Sequence, residues 1–211
     1  MRPVVSRIGR LVTSVLFERR DGIQTAGIIQ LEELGLAAEH RGFYGPSGWL
    51  NLRRILPRRE VSAHDVFVDF GSGMGRVVLQ AARYPFRRVI GVELSCELHG
   101  IAQENIRRTR RRLRCRDVEL VHADVLEYQV PDDVTVAYFY NPFTGEIFAE
   151  IIRRLVASVE RNPREVRIIY AYPTEVETLV GAGARLVREV DEKLLTNSVQ
   201  MYVLGPATPA P

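Results

Sequence analysis

The clearest chemical pattern in the sequence is a glycine-rich segment that follows an apolar run. The run VFVDF reads as a buried strand, and the loop GSGMG after it leads into a helical pattern. Glycines allow a tight turn and let a ligand approach the backbone, and the N-terminus of the following helix offers amides to an anion. Glycines also end strands for structural reasons alone, but the order strand, loop, helix favours a site for a molecule with a negative group. The candidate ligand-binding residues of the loop are Gly71, Ser72, Gly73 and Gly75.

The acid before this loop separates two classes of ligand. Dinucleotides prefer the spacing GxGxxG, whereas this loop reads GxGxG and has Asp69 two residues before its first glycine. A carboxylate at that place would repel a pyrophosphate. It suits the α-ammonium group of an amino-acid ligand, whose carboxylate is then left to the loop amides. The ligand that fits this arrangement is S-adenosylmethionine.

Two further acids follow the next two predicted strands. Glu93, followed by Leu94, ends the run VIGVEL, where its carboxylate can accept hydrogen bonds from both ribose hydroxyls; NAD would also place an acid there. Asp124 follows the third strand, where its carboxylate can accept the adenine amino group while the Val125 amide binds a ring nitrogen. A single acid is commonly a solvated strand end, but three after successive strands favour a binding site.

Strands and helices alternate from about residue 65 onward. The predicted strands are 66–70, 88–92, 118–121, 134–140 and 166–172, and the predicted helices are 76–83, one from residue 95, and 145–159. This order predicts right-handed crossovers and a parallel sheet with helices on both faces, so the fold class is α/β. The last strand-like stretches, 185–190 and 199–204, are about eight residues apart, too few for a parallel crossover. They should pair as an antiparallel hairpin.

The segment before the first strand has a different pattern. Helical spacing of apolar residues appears in 4–16, 28–38 and 49–56. The first of these helices is basic and amphipathic, and we expect its apolar face to pack on its own domain rather than on a membrane. The predicted division is an N-terminal helical leader or lid (1–60), a cofactor-binding domain (61–205) and a flexible tail (206–211).

Composition limits the class of protein without naming its function. The 211 residues fit one domain, and 46% apolar and 26% charged residues are typical of a globular protein. No stretch approaches the roughly 18 uncharged apolar residues that span a bilayer. Cys96 and Cys115 form neither a disulfide framework nor a metal-ligand pattern, which favours a cytoplasmic location. The net charge of +3 is too small to require a nucleic-acid partner.

Together these motifs resemble those of the class I S-adenosylmethionine-dependent methyltransferases. The loop 69–75 is similar to the first motif of the family, Glu93 to the second and Ala123-Asp124 to the third. The resemblance covers about residues 66–204 and implies a Rossmann-like three-layer sandwich with a seven-stranded, mostly parallel sheet whose last strand is antiparallel. It implies S-adenosylmethionine as cofactor and S-adenosylhomocysteine as product. The leader, with Thr25, Tyr44 and residues 45–47, is similar to that of small bacterial methyltransferases of unassigned substrate.

The end of the fourth strand is where this family usually contacts the acceptor. Asn141-Pro142-Phe143 resembles the Asn-Pro-Pro-aromatic motif of amino-methylating enzymes, in which the asparagine side chain and a backbone carbonyl accept hydrogens from the amine. The second proline of that motif is missing, so Asn141 and Phe143 could equally shape the cofactor pocket or begin a helix. The candidate catalytic residues are Asn141, Phe143 and Tyr44, and the further aromatic candidates for a sulfonium pocket are Tyr140, Tyr170 and Tyr172.

The function predicted from these patterns is methyl transfer from S-adenosylmethionine to a small-molecule acceptor. Transfer mainly requires that donor and acceptor be held in line, whereas an alcohol would also need a base or a metal. The four histidines show no metal-binding spacing, and no base can be assigned. Asn141 favours nitrogen, but oxygen and carbon stay open. The alternatives are a protein side chain or RNA as acceptor, or a relative that binds the cofactor without turnover.

One basic cluster could in principle bind nucleic acid. Seven arginines lie between residues 107 and 116, at the predicted end of a helix, without aromatic residues for base stacking. Arginines at a helix C-terminus complement its macrodipole, so a solvated helix end is favoured over a nucleic-acid surface. The sequence leaves the oligomeric state open, with the apolar face of the first helix as the candidate homodimer contact.

Overall fold

The computed structural model describes residues 16–27, 45–191 and 198–206. The helix predicted over 28–38 and nearly all of the helix predicted over 4–16 lie outside these ranges. Tyr44 and most of the predicted tail lie outside them as well.

The described part of the chain contains one mixed sheet of seven strands in the order β3-β2-β1-β4-β5-β7-β6. The strands are β1 (Val66–Phe70), β2 (Arg88–Glu93), β3 (Asp117–His122), β4 (Val136–Phe139), β5 (Val166–Ala171), β6 (Arg185–Asp191) and β7 (Ser198–Leu204). The first five strands are parallel to one another, and β7 is antiparallel to both β5 and β6. The predicted α/β class and the antiparallel hairpin are confirmed.

Helices cover both faces of this sheet. The α-helices between residues 45 and 191 are α1 (Asn51–Ile55), α2 (Arg76–Ala81), α3 (Cys96–Thr109), α4 (Gly145–Arg161) and α5 (Val176–Gly181). Two apolar clusters separate the layers, and the adjacent β4 residues Tyr138 and Phe139 belong to different clusters because strand side chains alternate between faces. The sequence did not predict α5, whose single buried residue, Leu179, leaves no helical periodicity to detect.

A helical segment of the leader, residues 16–21, is anchored beside the sheet through a buried aspartate. The Asp21 side chain is fully shielded from solvent and forms ion pairs with Arg20, Arg83 and Arg112. Burial alone would raise the pKa of Asp21, but the three arginines outweigh it and lower that pKa. The leader is therefore joined to the residues that follow both α2 and α3.

The arginine-rich end of α3 has a role that its pattern did not indicate. Arg107 and Arg108 both pair with Glu104, as expected for a solvated helix face. However, the Arg108 guanidinium also donates to the Gly22 carbonyl oxygen at 2.9 Å. Part of this basic cluster therefore binds the leader of its own chain.

Candidate functional site

The candidate site lies where the order of the parallel strands reverses. The first strand, β1, has β2 on one side and β4 on the other, so the segments that follow these three strands meet at one edge of the sheet. Open parallel sheets bind ligands at such a switch point, at the carboxyl ends of the strands. Asp69, Glu93 and Asn141 all lie at or next to this edge.

The glycine loop adopts a backbone that other residues rarely take. Gly71, Gly73 and Gly75 have φ angles of +76°, +53° and +79°, which lie in the left-handed region. A Cβ atom on Gly71 would lie 2.5 Å from the Pro142 Cβ atom, closer than real contacts allow. The first glycine is therefore required both by its φ angle and by the approach of the segment after β4.

Most amides of this loop donate within the protein. The Gly71 and Ser72 amides both donate to the Val92 carbonyl oxygen at 2.9 Å, and the Gly75 amide donates to the Ser72 carbonyl oxygen at 2.9 Å. The first two hydrogen bonds attach the loop to β2 and the third closes its turn, so these three amides already have partners within the protein. The Ser72 Oγ atom, in contrast, is buried and has no hydrogen-bond partner within the described residues.

Glu93 holds the loop and remains able to bind a ligand. It is 7% exposed, and its two carboxylate oxygens accept hydrogen bonds from the Gly73 amide at 2.7 Å and the Ser95 amide at 2.8 Å. Burial raises the pKa of Glu93, and these amide hydrogen bonds partly oppose that rise. A carboxylate oxygen has two lone pairs, so each oxygen can accept a further hydroxyl.

Asp69 is a second buried acid at the same edge. It is 3% exposed and lines a cavity of about 50 Å³ together with Ser72. Burial, and then the negative charge of Glu93, hold the pKa of Asp69 well above its usual range. A cation bound in the cavity would favour the ionised form of Asp69.

The end of β3 lies next to the end of β2. The Ala123 amide donates to the Glu93 carbonyl oxygen at 3.0 Å, and a ring nitrogen of His122 lies 3.0 Å from the Leu94 carbonyl oxygen. Asp124 accepts the Leu126 amide at 3.0 Å on one carboxylate oxygen and is half-buried. Asp124 therefore lies close to Glu93, as the strand pattern predicted.

The segment after β4 presents different residues to the cavity than its motif suggested. Asn141 has a φ angle of +46°, and its Oδ1 atom accepts hydrogen bonds from the hydroxyls of Tyr170 at 3.2 Å and Thr174 at 2.9 Å. Its side-chain oxygen is thus directed toward the end of β5. Tyr140 and Pro142, on either side of it, line the cavity.

The aromatic candidates divide into core and edge residues. Phe143 is 4% exposed and packs against Phe139 and Phe148, so it belongs to the core beneath the site. Tyr140 and Tyr172 form an edge-on pair with ring centroids 5.1 Å apart at the ends of β4 and β5. For a bulky residue such as Tyr172, a φ angle of +58° is a strained conformation, and such strain is concentrated at functional sites.

The opposite wall of the cavity comes from the leader. Gly45, Pro46 and Ser47 line it, and the Ser47 hydroxyl lies 2.7 Å from the Tyr138 hydroxyl in a buried hydrogen bond. Arg76, the first residue of α2, also lines it. Sequence reasoning missed Arg76, although a charged residue at the start of a helix with a buried apolar face was a signal of an internal partner.

The described residues contain neither a metal-binding cluster nor a membrane-spanning helix. Within 16–27, 45–191 and 198–206, histidine, cysteine, aspartate and glutamate form no group that could hold a metal ion. No helix in those ranges has the length and apolar character needed to cross a membrane.

Known proteins with similar sequences are protein methyltransferases. The family model for the histone methylation protein DOT1 matches residues 40–130. A protein-lysine N-methyltransferase of Saccharolobus islandicus (strain REY15A) is 23% identical over 163 residues, which cover 77% of this chain and 93% of that protein. A histone-lysine N-methyltransferase of Drosophila melanogaster, specific for H3 lysine-79, is 41% identical over 51 residues, 24% of this chain but only 3% of that protein.

The fold has a solved counterpart that contains the product of the cofactor. The crystal structure of an RNA methyltransferase from Salinibacter ruber in complex with S-adenosyl-L-homocysteine superposes with a TM-score of 0.56 at 20% identity. The superposition covers 78% of this chain and 96% of that one.

The sheet order, the glycine loop with its following acids, and these similarities define one class. The chain is a class I S-adenosylmethionine-dependent methyltransferase. The residues present fit the cofactor, because the unpartnered buried hydroxyl of Ser72 and the buried carboxyl of Asp69 line one cavity, and the buried carboxyl of Glu93 lies at the same edge of the sheet. When bound, S-adenosylmethionine supplies an electrophilic methyl group.

Proposed function

We propose that this protein transfers the methyl group to the side-chain amine of a lysine in another protein. The observation that carries the proposal is the extent of the chain over which its sequence is similar to protein methyltransferases. The DOT1 match begins in the leader and extends through the loop, Glu93 and Asp124, and the S. islandicus protein-lysine N-methyltransferase aligns over 93% of its length. The last part of the leader, from residue 40, and the cofactor site thus lie within a match to a family named for histone methylation.

The cofactor-binding roles that we propose follow the strand ends. Asp69 binds the α-ammonium group, because a cation there offsets the two effects that raise the pKa of its carboxyl. Glu93, next to Leu94, accepts the ribose hydroxyls on the lone pairs that the backbone amides leave. Asp124 and the Val125 amide bind the adenine edge. Gly71, Ser72, Gly73 and Gly75 shape the loop, and the Ser72 hydroxyl donates to the ligand.

We propose that the acceptor lysine enters the same cavity. A lysine amine can attack only in its neutral form, and burial disfavours the charged form of an amine. Tyr140 and Pro142 supply the half-buried, weakly polar wall that such an amine needs. Asn141 acts through its backbone carbonyl and by setting the turn, since its side-chain oxygen is directed to Tyr170 and Thr174. Phe143 supports this turn from the core, and Tyr44, outside the described residues, stays a candidate for the wall.

A small-molecule acceptor is the second candidate, because the cavity has room for one as well. About 50 Å³ between the leader wall and Pro142 suits a slender group, which a free amine offers as well as a lysine side chain does. RNA is the third candidate because the S. ruber structural relative is an RNA methyltransferase. A cytoplasmic location in a bacterium and homodimer formation through the first helix stay predictions, and that helix lies almost wholly outside the described residues.

The three acceptors can be separated with radiolabelled S-adenosylmethionine. The protein is incubated with three substrates: a dialysed extract of bacterial protein, purified bacterial RNA, and the small-molecule fraction that dialysis removes. We expect label in the protein sample only, sensitive to protease and recovered as Nε-methyl-lysine after acid hydrolysis. The Asp69→Asn variant, which we expect to bind S-adenosylmethionine more weakly, serves as the control with reduced labelling. Label confined to RNA or to the dialysable fraction would contradict the lysine proposal and favour the corresponding alternative.

A further inference from the structure

Arg76 has an unusual place for an arginine. It is 4% exposed, it is the first residue of α2, and it directly follows the last glycine of the loop. Arginine is almost never fully buried unless its guanidinium group is paired. Its partners therefore indicate what the buried charge does.

Three hydrogen bonds join the Arg76 side chain to the leader. Its Nε atom donates to the Thr25 hydroxyl at 2.8 Å, and its Nη2 atom donates to a Glu18 carboxylate oxygen at 2.8 Å. Its Nη1 atom donates to the Ser47 carbonyl oxygen at 3.0 Å. The guanidinium group also lies over the Trp49 ring, with its central carbon 5.1 Å from the ring centroid. One side chain thus joins two stretches of leader, residues 16–27 and 45–49, to the glycine loop.

The second of these stretches is the leader wall of the cavity. Ser47 lines the cavity, and so does Arg76 itself, together with Asp69. The Ser47 hydroxyl is bonded to Tyr138 on β4, so the Arg76 bond to its carbonyl oxygen fixes the other side of the same residue. Removing the guanidinium would release this wall and leave Glu18, which is only 15% exposed at its side chain, without its arginine.

A buried asparagine makes a parallel connection on the other side of the loop. The Asn105 Nδ2 atom donates to the carbonyl oxygens of Gln24 at 2.7 Å and Met74 at 3.0 Å, and its Oδ1 atom accepts the Gln24 amide at 3.0 Å. Met74 and Arg76 flank the last glycine of the loop. The loop is therefore attached to the leader immediately before and immediately after Gly75.

We infer that Arg76 is a positioning residue, which fixes the leader wall against the glycine loop and so couples the leader to cofactor binding. The inference rests on the cofactor class of the protein and not on the identity of the acceptor. It predicts that cofactor affinity, and not only stability, depends on the guanidinium group.

The chain supplies a matched control on the same side of the fold. Arg83, seven residues after Arg76, forms an ion pair with the leader acid Asp21, just as Arg76 does with Glu18. However, Arg83 follows the far end of α2 and does not line the cavity that contains Asp69. Arg83→Gln should therefore weaken leader docking without disturbing the cavity wall.

The test measures S-adenosylhomocysteine binding by calorimetry for Arg76→Gln, Thr25→Val and Arg83→Gln. We expect Arg76→Gln to raise the Kd about tenfold or more, and Thr25→Val to raise it about threefold, because the hydroxyl that accepts from the Arg76 Nε atom and donates to Glu18 is lost there. Arg83→Gln should lower the melting temperature while its Kd stays within about twofold of the parent value.

Hydrogen exchange supplies a readout that a purely structural role would not change. S-adenosylhomocysteine should slow amide exchange in a peptide covering residues 16–25 in the parent and in Arg83→Gln, but not in Arg76→Gln. If Arg76→Gln does not fold, the inference is tested on Thr25→Val by the same calorimetric and hydrogen-exchange measurements. An unchanged Kd in folded Arg76→Gln or, where that variant does not fold, in Thr25→Val would overturn the inference. An equal loss of affinity in Arg83→Gln would also overturn it, since it would mean that leader docking alone governs binding.

Discussion

Replacing Glu93 with alanine is expected to weaken S-adenosylhomocysteine binding by at least about tenfold. The proposed ribose contacts are a pair of charge-assisted hydrogen bonds, each worth about 1.5–3 kcal/mol. The same carboxylate also accepts the amides of Gly73 and Ser95, so its loss would leave two buried donors unpaired and loosen the glycine loop. We therefore expect a loss beyond that of the ribose contacts alone, with a lower melting temperature.

The matched control is Glu97→Ala, four residues further along. Glu97 is exposed in the first turn of α3, so its removal changes the charge equally without touching the site. Binding is measured by calorimetric titration on samples whose circular dichroism matches that of the parent. If folded Glu93→Ala bound S-adenosylhomocysteine as the parent does, the ribose role of Glu93 would be refuted.

The Asp69→Asn variant is expected to change stability and binding in opposite directions. Asparagine has the same shape without the charge, so it removes the repulsion with Glu93 and the desolvation cost that raise the pKa of Asp69. The unliganded protein should gain at least about 2 °C in melting temperature. The affinity for S-adenosylmethionine should fall about tenfold or more, because the α-ammonium group loses its ionic partner.

The pH dependence of unfolding tests the predicted stability gain of Asp69→Asn independently. An unfolded aspartate loses its proton near pH 3.9, whereas folded Asp69 holds its proton to higher pH. Between these two pKa values the folded state binds more protons, so the stability of the parent falls as the pH rises through that interval. The advantage of Asp69→Asn should grow over the same interval and then level off. An advantage that shrinks with rising pH would show that Asp69 is not the destabilising acid.

Much of the sheet could be predicted because it depends on local patterns. The apolar run 66–70 and the eight-residue gap before 199–204 are enough to place a buried strand and an antiparallel hairpin. The start of α3 was also predictable, since the helix predicted from residue 95 begins there and Ser95 caps it by accepting the Leu98 amide. These features depend on residues close together in the chain.

The leader contacts could not be predicted, because they join residues far apart in sequence. Asn105 bonds to Gln24 across 81 positions, and Arg76 bonds to Glu18 across 58. Neither pair has a periodicity that a single sequence could reveal. The direction of the Asn141 side chain was hidden for the same reason, since Tyr170 and Thr174 follow it by 29 and 33 positions.

The most direct measurement is a calorimetric titration of the unmodified protein with S-adenosylmethionine, S-adenosylhomocysteine and NAD. The buried acids Asp69 and Glu93 at the glycine loop predict binding of both adenosyl ligands at one site, with no binding of NAD at the same concentrations. Binding of NAD without binding of either adenosyl ligand would contradict the assignment of the site.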